Sequence, residues 1–92
     1  MRTAAFDSFS KAFRNLTPEL QDHTRKALAR FRDNPDHLSL NIKNMKGRAS
    51  IWEGRITDAY RFTFYHETDS KTGERIYVLR NIGPHSILDT NP

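Results

Sequence analysis

The stretch Ile51–His66, IWEGRITDAYRFTFYH, holds two runs rich in β-branched and aromatic residues around a short polar break. Such residues fit a pleated, half-buried surface, so the runs predict strands. Ile51–Ile56 reads as one strand, Thr57-Asp58-Ala59 as a tight turn, and Tyr60–His66 as a second strand folded back on the first. Side chains alternate along a strand, so Phe62 and Phe64 share one face and Tyr65 takes the other. Downstream, Ile76–Ile82 is the most apolar run, and its mixed pattern predicts burial on both faces and a central place in the sheet. Between these, Glu67–Glu74 carries Asp69, Ser70 and Gly73 and predicts a longer polar hairpin loop. Upstream, Arg2–Ala5 is a candidate edge strand.

The period is helical ahead of these strands. Phe6, Phe9, Phe13 and Leu16 make one apolar stripe, with Asp7 or Ser8 as candidate N-cap. Thr17-Pro18 restarts the chain, because threonine caps well and proline suits the first helical position. Leu20, Thr24, Ala27, Leu28 and Phe31 then form the inner face of a second helix, leaving Arg25, Lys26, Arg30 and Arg32 mainly outside. Asn34-Pro35 ends it, since a residue before proline avoids the α region. Asp36–Gly47 reads as a basic connector closing on the turn signal Lys46-Gly47. The expected architecture is therefore α+β: an N-terminal helical hairpin packed on a small, twisted, mainly antiparallel sheet, with residues 1–92 as a single domain.

Composition narrows the function classes. The chain has 92 residues, 36% of them hydrophobic and 28% charged, which suits one folded domain with one small core. It has no cysteine, which excludes disulfides and thiolate metal sites. The opening residues show no long apolar run, so neither a secretory leader nor a membrane span is expected, and a soluble cytoplasmic protein is the simplest expectation. The net charge of +4 points to an anionic partner, either nucleic acid or an acidic protein.

The basic residues concentrate where chemistry is expected. Lys43, Lys46, Arg48, Arg55 and Arg61 lie on the connector and the first two strands, with Trp52, Tyr60 and Tyr65 interleaved. Cationic groups pair with phosphates and aromatic faces stack on unpaired bases, so together these positions predict a nucleic-acid surface. Taken singly, Trp52 and Tyr60 read first as core aromatics, and only the group of positions favours the nucleic-acid surface. Arg61, between Tyr60 and Phe62, either pairs with Glu53 or Asp58 or points into a cleft on the open face of the sheet. His85 follows Gly83-Pro84 directly after the most apolar strand, and an imidazole can give or take a proton near neutral pH. No histidine pair has metal-ligand spacing, and neither a phosphate loop nor a dinucleotide fingerprint is present, so no metal and no cofactor is expected.

Several pieces occur in an order that resembles the RelE/ParE toxin superfamily, in particular its YoeB- and YafQ-like branch. These are Asn34-Pro35-Asp36-His37-Leu38-Ser39-Leu40, Lys43 through Lys46-Gly47, Trp52-Glu53-Gly54-Arg55-Ile56, Tyr60-Arg61-Phe62 and Ile82-Gly83-Pro84-His85. The resemblance spans Phe6 to about Asp89. It implies a microbial-ribonuclease type of fold and the toxin of a type II toxin–antitoxin pair. It further implies metal-independent cleavage of mRNA on the ribosome, with contacts to 16S rRNA, through attack by the substrate's own 2′-hydroxyl. By the same resemblance Arg61 would stabilise the phosphate and His85 would act as acid or base. Lys43, Lys46, Arg48, Arg55 and Trp52 would hold the RNA, and a cognate antitoxin would form a hetero-oligomer with the chain. Ser86-Ile87-Leu88 stands where such toxins often carry an aromatic after the histidine position. The ParE-like alternative inhibits DNA gyrase without cutting RNA, and an inactive relative would only bind antitoxin or RNA.

Overall fold

A computed structural model describes residues 2–92, apart from the side-chain surroundings of Ala49. Strand β1 (Arg2–Ala5) leads into helices α1 (Asp7–Arg14) and α2 (Pro18–Asp33), and a single 3₁₀ turn covers Leu38–Leu40. Strands β2 (Lys43–Met45), β3 (Arg48–Arg55), β4 (Tyr60–Thr68) and β5 (Arg75–Pro84) follow, then the short helix α3 (Ile87–Thr90). The sheet order is β1-β5-β4-β3-β2. Every neighbouring pair is antiparallel except β1 with β5, which is parallel. The α+β architecture with a mainly antiparallel sheet is thus the observed one, and the edge strand at Arg2–Ala5 is present.

The helical stripe builds the core. Thr24, Ala27, Leu28 and Phe31 are buried along α2, and Phe9 along α1. Phe31 is wholly enclosed and meets Phe62, Phe64 and Tyr77 edge-on, with centroids 5.4, 4.8 and 5.2 Å away. Edge-to-face contacts of this kind add to the gain from burying the rings. Thr17 caps α2 as expected, its Oγ1 accepting from the Leu20 amide at 3.3 Å, with Pro18 in the first turn. Gly54 is required by this packing, because a Cβ there would run into the Phe62 ring.

Four features differ from the expectation. Neither Asp7 nor Ser8 caps α1: Phe6 holds the cap position without a side-chain bond, and Ser8 Oγ donates instead to the Arg80 carbonyl at 2.6 Å. The Phe6 amide donates to the Leu79 carbonyl, so α1 starts directly off the β1–β5 ladder and has no room for a separate capping residue. The connector contains the 3₁₀ turn and the edge strand β2. The middle strand is β4, while β5 is interior between β4 and β1. Residues 87–90 form α3, whose Ile87 and Leu88 join Met45 and Ile51 in a second, smaller apolar cluster. No helix among the described residues is long and apolar enough to cross a membrane.

Candidate active site

Strand register sets which side chains share a face. Lys43 lies opposite Glu53, Glu53 opposite Thr63, and Thr63 opposite Asn81. The next row along is Arg55, Arg61 and Gly83. Directly opposed residues in an antiparallel pair project to the same side. Both rows therefore lie on the face away from Phe62 and Phe64, which pack under the helices.

On this face an open groove of about 440 Å³ is lined by Lys43, Met45, Lys46, Arg48, Glu53, His85, Leu88 and Asp89. The β2–β3 hairpin supplies three cations and one carboxylate. Its tight turn is closed by Gly47 at φ 78°, a conformation that glycine adopts without strain. The register shift between Asn44 and Met45 bends β2 at the groove edge. His85 comes from the far side, at the corner where β5 passes into α3. Gly83 makes this corner possible: a Cβ there would lie 2.6 Å from Ile87 Cγ2, so only glycine lets α3 fold back this closely. The His85 ring is exposed while its backbone is held at both ends. Its amide donates to the Ala59 carbonyl at 2.9 Å, and its carbonyl accepts from the Leu88 amide at 3.1 Å.

Of the expected site residues, the structure brings Lys43, Lys46, Arg48 and His85 to one groove and leaves three aside. Arg61 is not among the groove-lining residues; its side chain is only 11% exposed, with Nε 4.0 Å from Glu53 Oε1. Its Nη1 donates to the carbonyls of Thr57, Asp58 and Tyr60 at 2.6, 3.0 and 3.1 Å. Of the expected alternative, the pairing with Glu53 is the one observed: Arg61 lies on the open face but does not line the groove. Arg55 sits opposite Arg61 and reaches Asp58 Oδ1 at 3.8 Å, while its Nε is buried without a partner. Trp52 projects to the opposite face, opposite Phe64, with its ring 5.9 Å from that of His66. It lines a separate cleft with Pro35, Ile42, Phe64, His66, Arg75 and Tyr77.

Glu53 was visible in the sequence only as a partner for Arg61, yet it lines the groove with His85. Strict alternation already separates Trp52 from Glu53, and that was the available signal. Among the described residues no three histidine or acidic side chains converge as metal ligands.

No protein-family model and no curated protein matches the chain. Solved structures do. The YoeB/ParE toxin from Agrobacterium tumefaciens superposes with a TM-score of 0.73 at 16% identity, over 92% of this chain and 99% of that one. YafQ from Escherichia coli strain BL21(DE3) gives 0.72 at 11% identity, over 96% and 98%. The chain matched in the RelB-RelE antitoxin-toxin complex from Methanococcus jannaschii gives 0.68 at 18% identity, over 97% and 99%. The shared fold extends over nearly the whole of each chain.

Proposed function

We propose that this chain, which has the fold of the RelE/ParE toxins, is the toxin of a type II toxin–antitoxin pair and cleaves messenger RNA on the ribosome. The observation that carries this reading is the composition of the groove: Lys43, Lys46 and Arg48 beside two carboxylates, Glu53 and Asp89, and one imidazole, His85. Cleavage by an internal 2′-hydroxyl needs a base, an acid and positive charge around the phosphorane. Glu53 takes the 2′-hydroxyl proton, and the 2′-oxygen forms a bond to phosphorus. The bond from phosphorus to the 5′-oxygen breaks, and His85 gives its proton to that oxygen. The products are a 2′,3′-cyclic phosphate and a 5′-hydroxyl, and exchange with water restores Glu53 and His85. Lys43, Lys46 and Arg48 meet the phosphates, and Arg55 extends the positive charge along the same face. No step requires a metal or a cofactor.

The groove is open and its cations sit on flexible stems, so much of the substrate's orientation must come from elsewhere. A ribosome holding the message in register supplies it. The antitoxin partner is supported by the RelB-RelE complex among the structural neighbours and by the net charge of +4, which an acidic segment complements.

Purified protein added to ribosomes programmed with a defined message should cut it far faster than the same message free in solution. Equal rates on both would remove the ribosome from the account. Inhibition of gyrase supercoiling with no cleavage in either setting would overturn the whole reading in favour of the ParE-like alternative.

A further inference from the structure

We infer that Arg61 is a positioning residue for His85, acting through the Thr57–Tyr60 turn and not by touching the phosphate; its catalytic consequence rests on the role proposed for His85. The link can be followed atom by atom. A single guanidinium nitrogen, Nη1, gathers the carbonyls of Thr57, Asp58 and Tyr60, at 2.6, 3.0 and 3.1 Å. Thr57 Oγ1 tightens the same turn by accepting from the Ala59 and Tyr60 amides at 3.3 and 3.2 Å. The turn then presents the Ala59 carbonyl to the His85 amide at 2.9 Å.

Two features make this link matter. Tyr60 is the register partner of Pro84, which has no N–H to donate, so the β4–β5 ladder is weakened just before the histidine. The His85 amide therefore takes its hold from the turn, one step beyond the last strand pair. The turn also carries hairpin bonds from the Ile56 and Thr57 amides to the Tyr60 carbonyl, but its tip residues Asp58 and Ala59 are exposed, so little packing holds the Ala59 carbonyl in place. Three carbonyl dipoles converging on one point repel each other unless a cation lies between them, and Arg61 is that cation. With its side chain only 11% exposed and no share in lining the groove, Arg61 is also poorly placed to reach a substrate phosphate held by Lys43, Lys46 and Arg48.

The test compares Arg61→Ala, Arg61→Lys and Thr57→Val with the parent chain. Hydrogen exchange at the His85 amide is followed by NMR, and binding of a non-cleavable RNA carrying a 2′-deoxy position is measured across salt concentrations. In Arg61→Ala the His85 amide should exchange at least about tenfold faster, as expected for one backbone hydrogen bond losing its support, while the amides of Val78 and Leu79 keep their protection. Where cleavage is observed, kcat should fall with KM and RNA affinity unchanged, and Arg61→Lys should restore part of it. Thr57→Val loosens the turn without altering charge and should shift the same amide in the same direction. It also serves as the decisive variant if Arg61→Ala does not fold. Unchanged His85 exchange in the folded variants would overturn the inference. So would weaker RNA binding whose salt slope drops by about 0.7, the mark of one lost phosphate contact on a single strand. Absence of cleavage by the parent chain would instead count against the proposed function, leaving the exchange result to judge the link itself.

Discussion

His85→Gln should lower RNA cleavage by a factor on the order of 10²–10⁴ without changing the fold, the span over which a positioned acid or base contributes. The expectation follows from where the residue sits. Its ring is exposed, and the bonds that hold its position run through the backbone, to the Ala59 carbonyl and from the Leu88 amide. Glutamine keeps those bonds and a side-chain hydrogen-bond donor, but it cannot cycle a proton at neutral pH. Single-turnover cleavage beside a thermal melt reads both halves of the expectation. Full activity in a folded His85→Gln protein would place the acid elsewhere, and loss of activity together with the fold would make the histidine structural.

The largest expected effect on stability lies across the sheet. Phe31→Ala should cost about 3–5 kcal/mol, as for a fully buried aromatic whose removal leaves a cavity. Phe31 has no exposed surface and is the one ring that meets Phe62, Phe64 and Tyr77 together. Domains of this size commonly have total stabilities of about 5–15 kcal/mol, so roughly a fifth or more of the margin would be lost. The melting temperature should fall by at least about 12 °C. Phe31→Leu, which keeps most of the apolar volume, should fall by clearly less. A drop of under about 4 °C for Phe31→Ala would mean that the core relaxes around the gap or is centred elsewhere.

These two residues show what a sequence of this kind makes legible. Phe31 belongs to a stripe at helical spacing, and Thr24, Ala27, Leu28 and Phe31 are all buried as that spacing implies. Periodicity works there because one face of a long helix must meet the core. It also identifies β3, β4 and β5, whose runs extend over several residues. It fails for β2, a three-residue edge strand with one buried residue, and for α3, a single turn carrying Leu88. Neither is long enough to show a period. The cap of α1 departs from the sequence pattern because Ser8 spends its hydroxyl on a carbonyl of β5, seventy-two residues away.

The site divides in the same way. Cations placed close together in sequence, Lys43, Lys46 and Arg48, remain together because a hairpin joins them. His85 meets them through the back-folding of α3 at Gly83, a close approach that composition does not reveal. Trp52 neighbours the cations in sequence, yet the pleat sends it to the helix-covered face. Glu53 and Arg61 carry opposite lessons. Glu53, expected only as a salt-bridge partner, lines the groove, whereas Arg61, expected at the phosphate, is folded into the support of a turn.

If Glu53 and His85 transfer protons for attack by the RNA's own 2′-hydroxyl, the ends of the cleaved RNA record that attack. Products from a programmed ribosome should carry a 2′,3′-cyclic phosphate on the upstream fragment and a 5′-hydroxyl on the downstream one, and a single 2′-deoxy substitution at the cut position should abolish cleavage. A 5′-phosphate on the downstream fragment, or undiminished cleavage of the 2′-deoxy substrate, would contradict it.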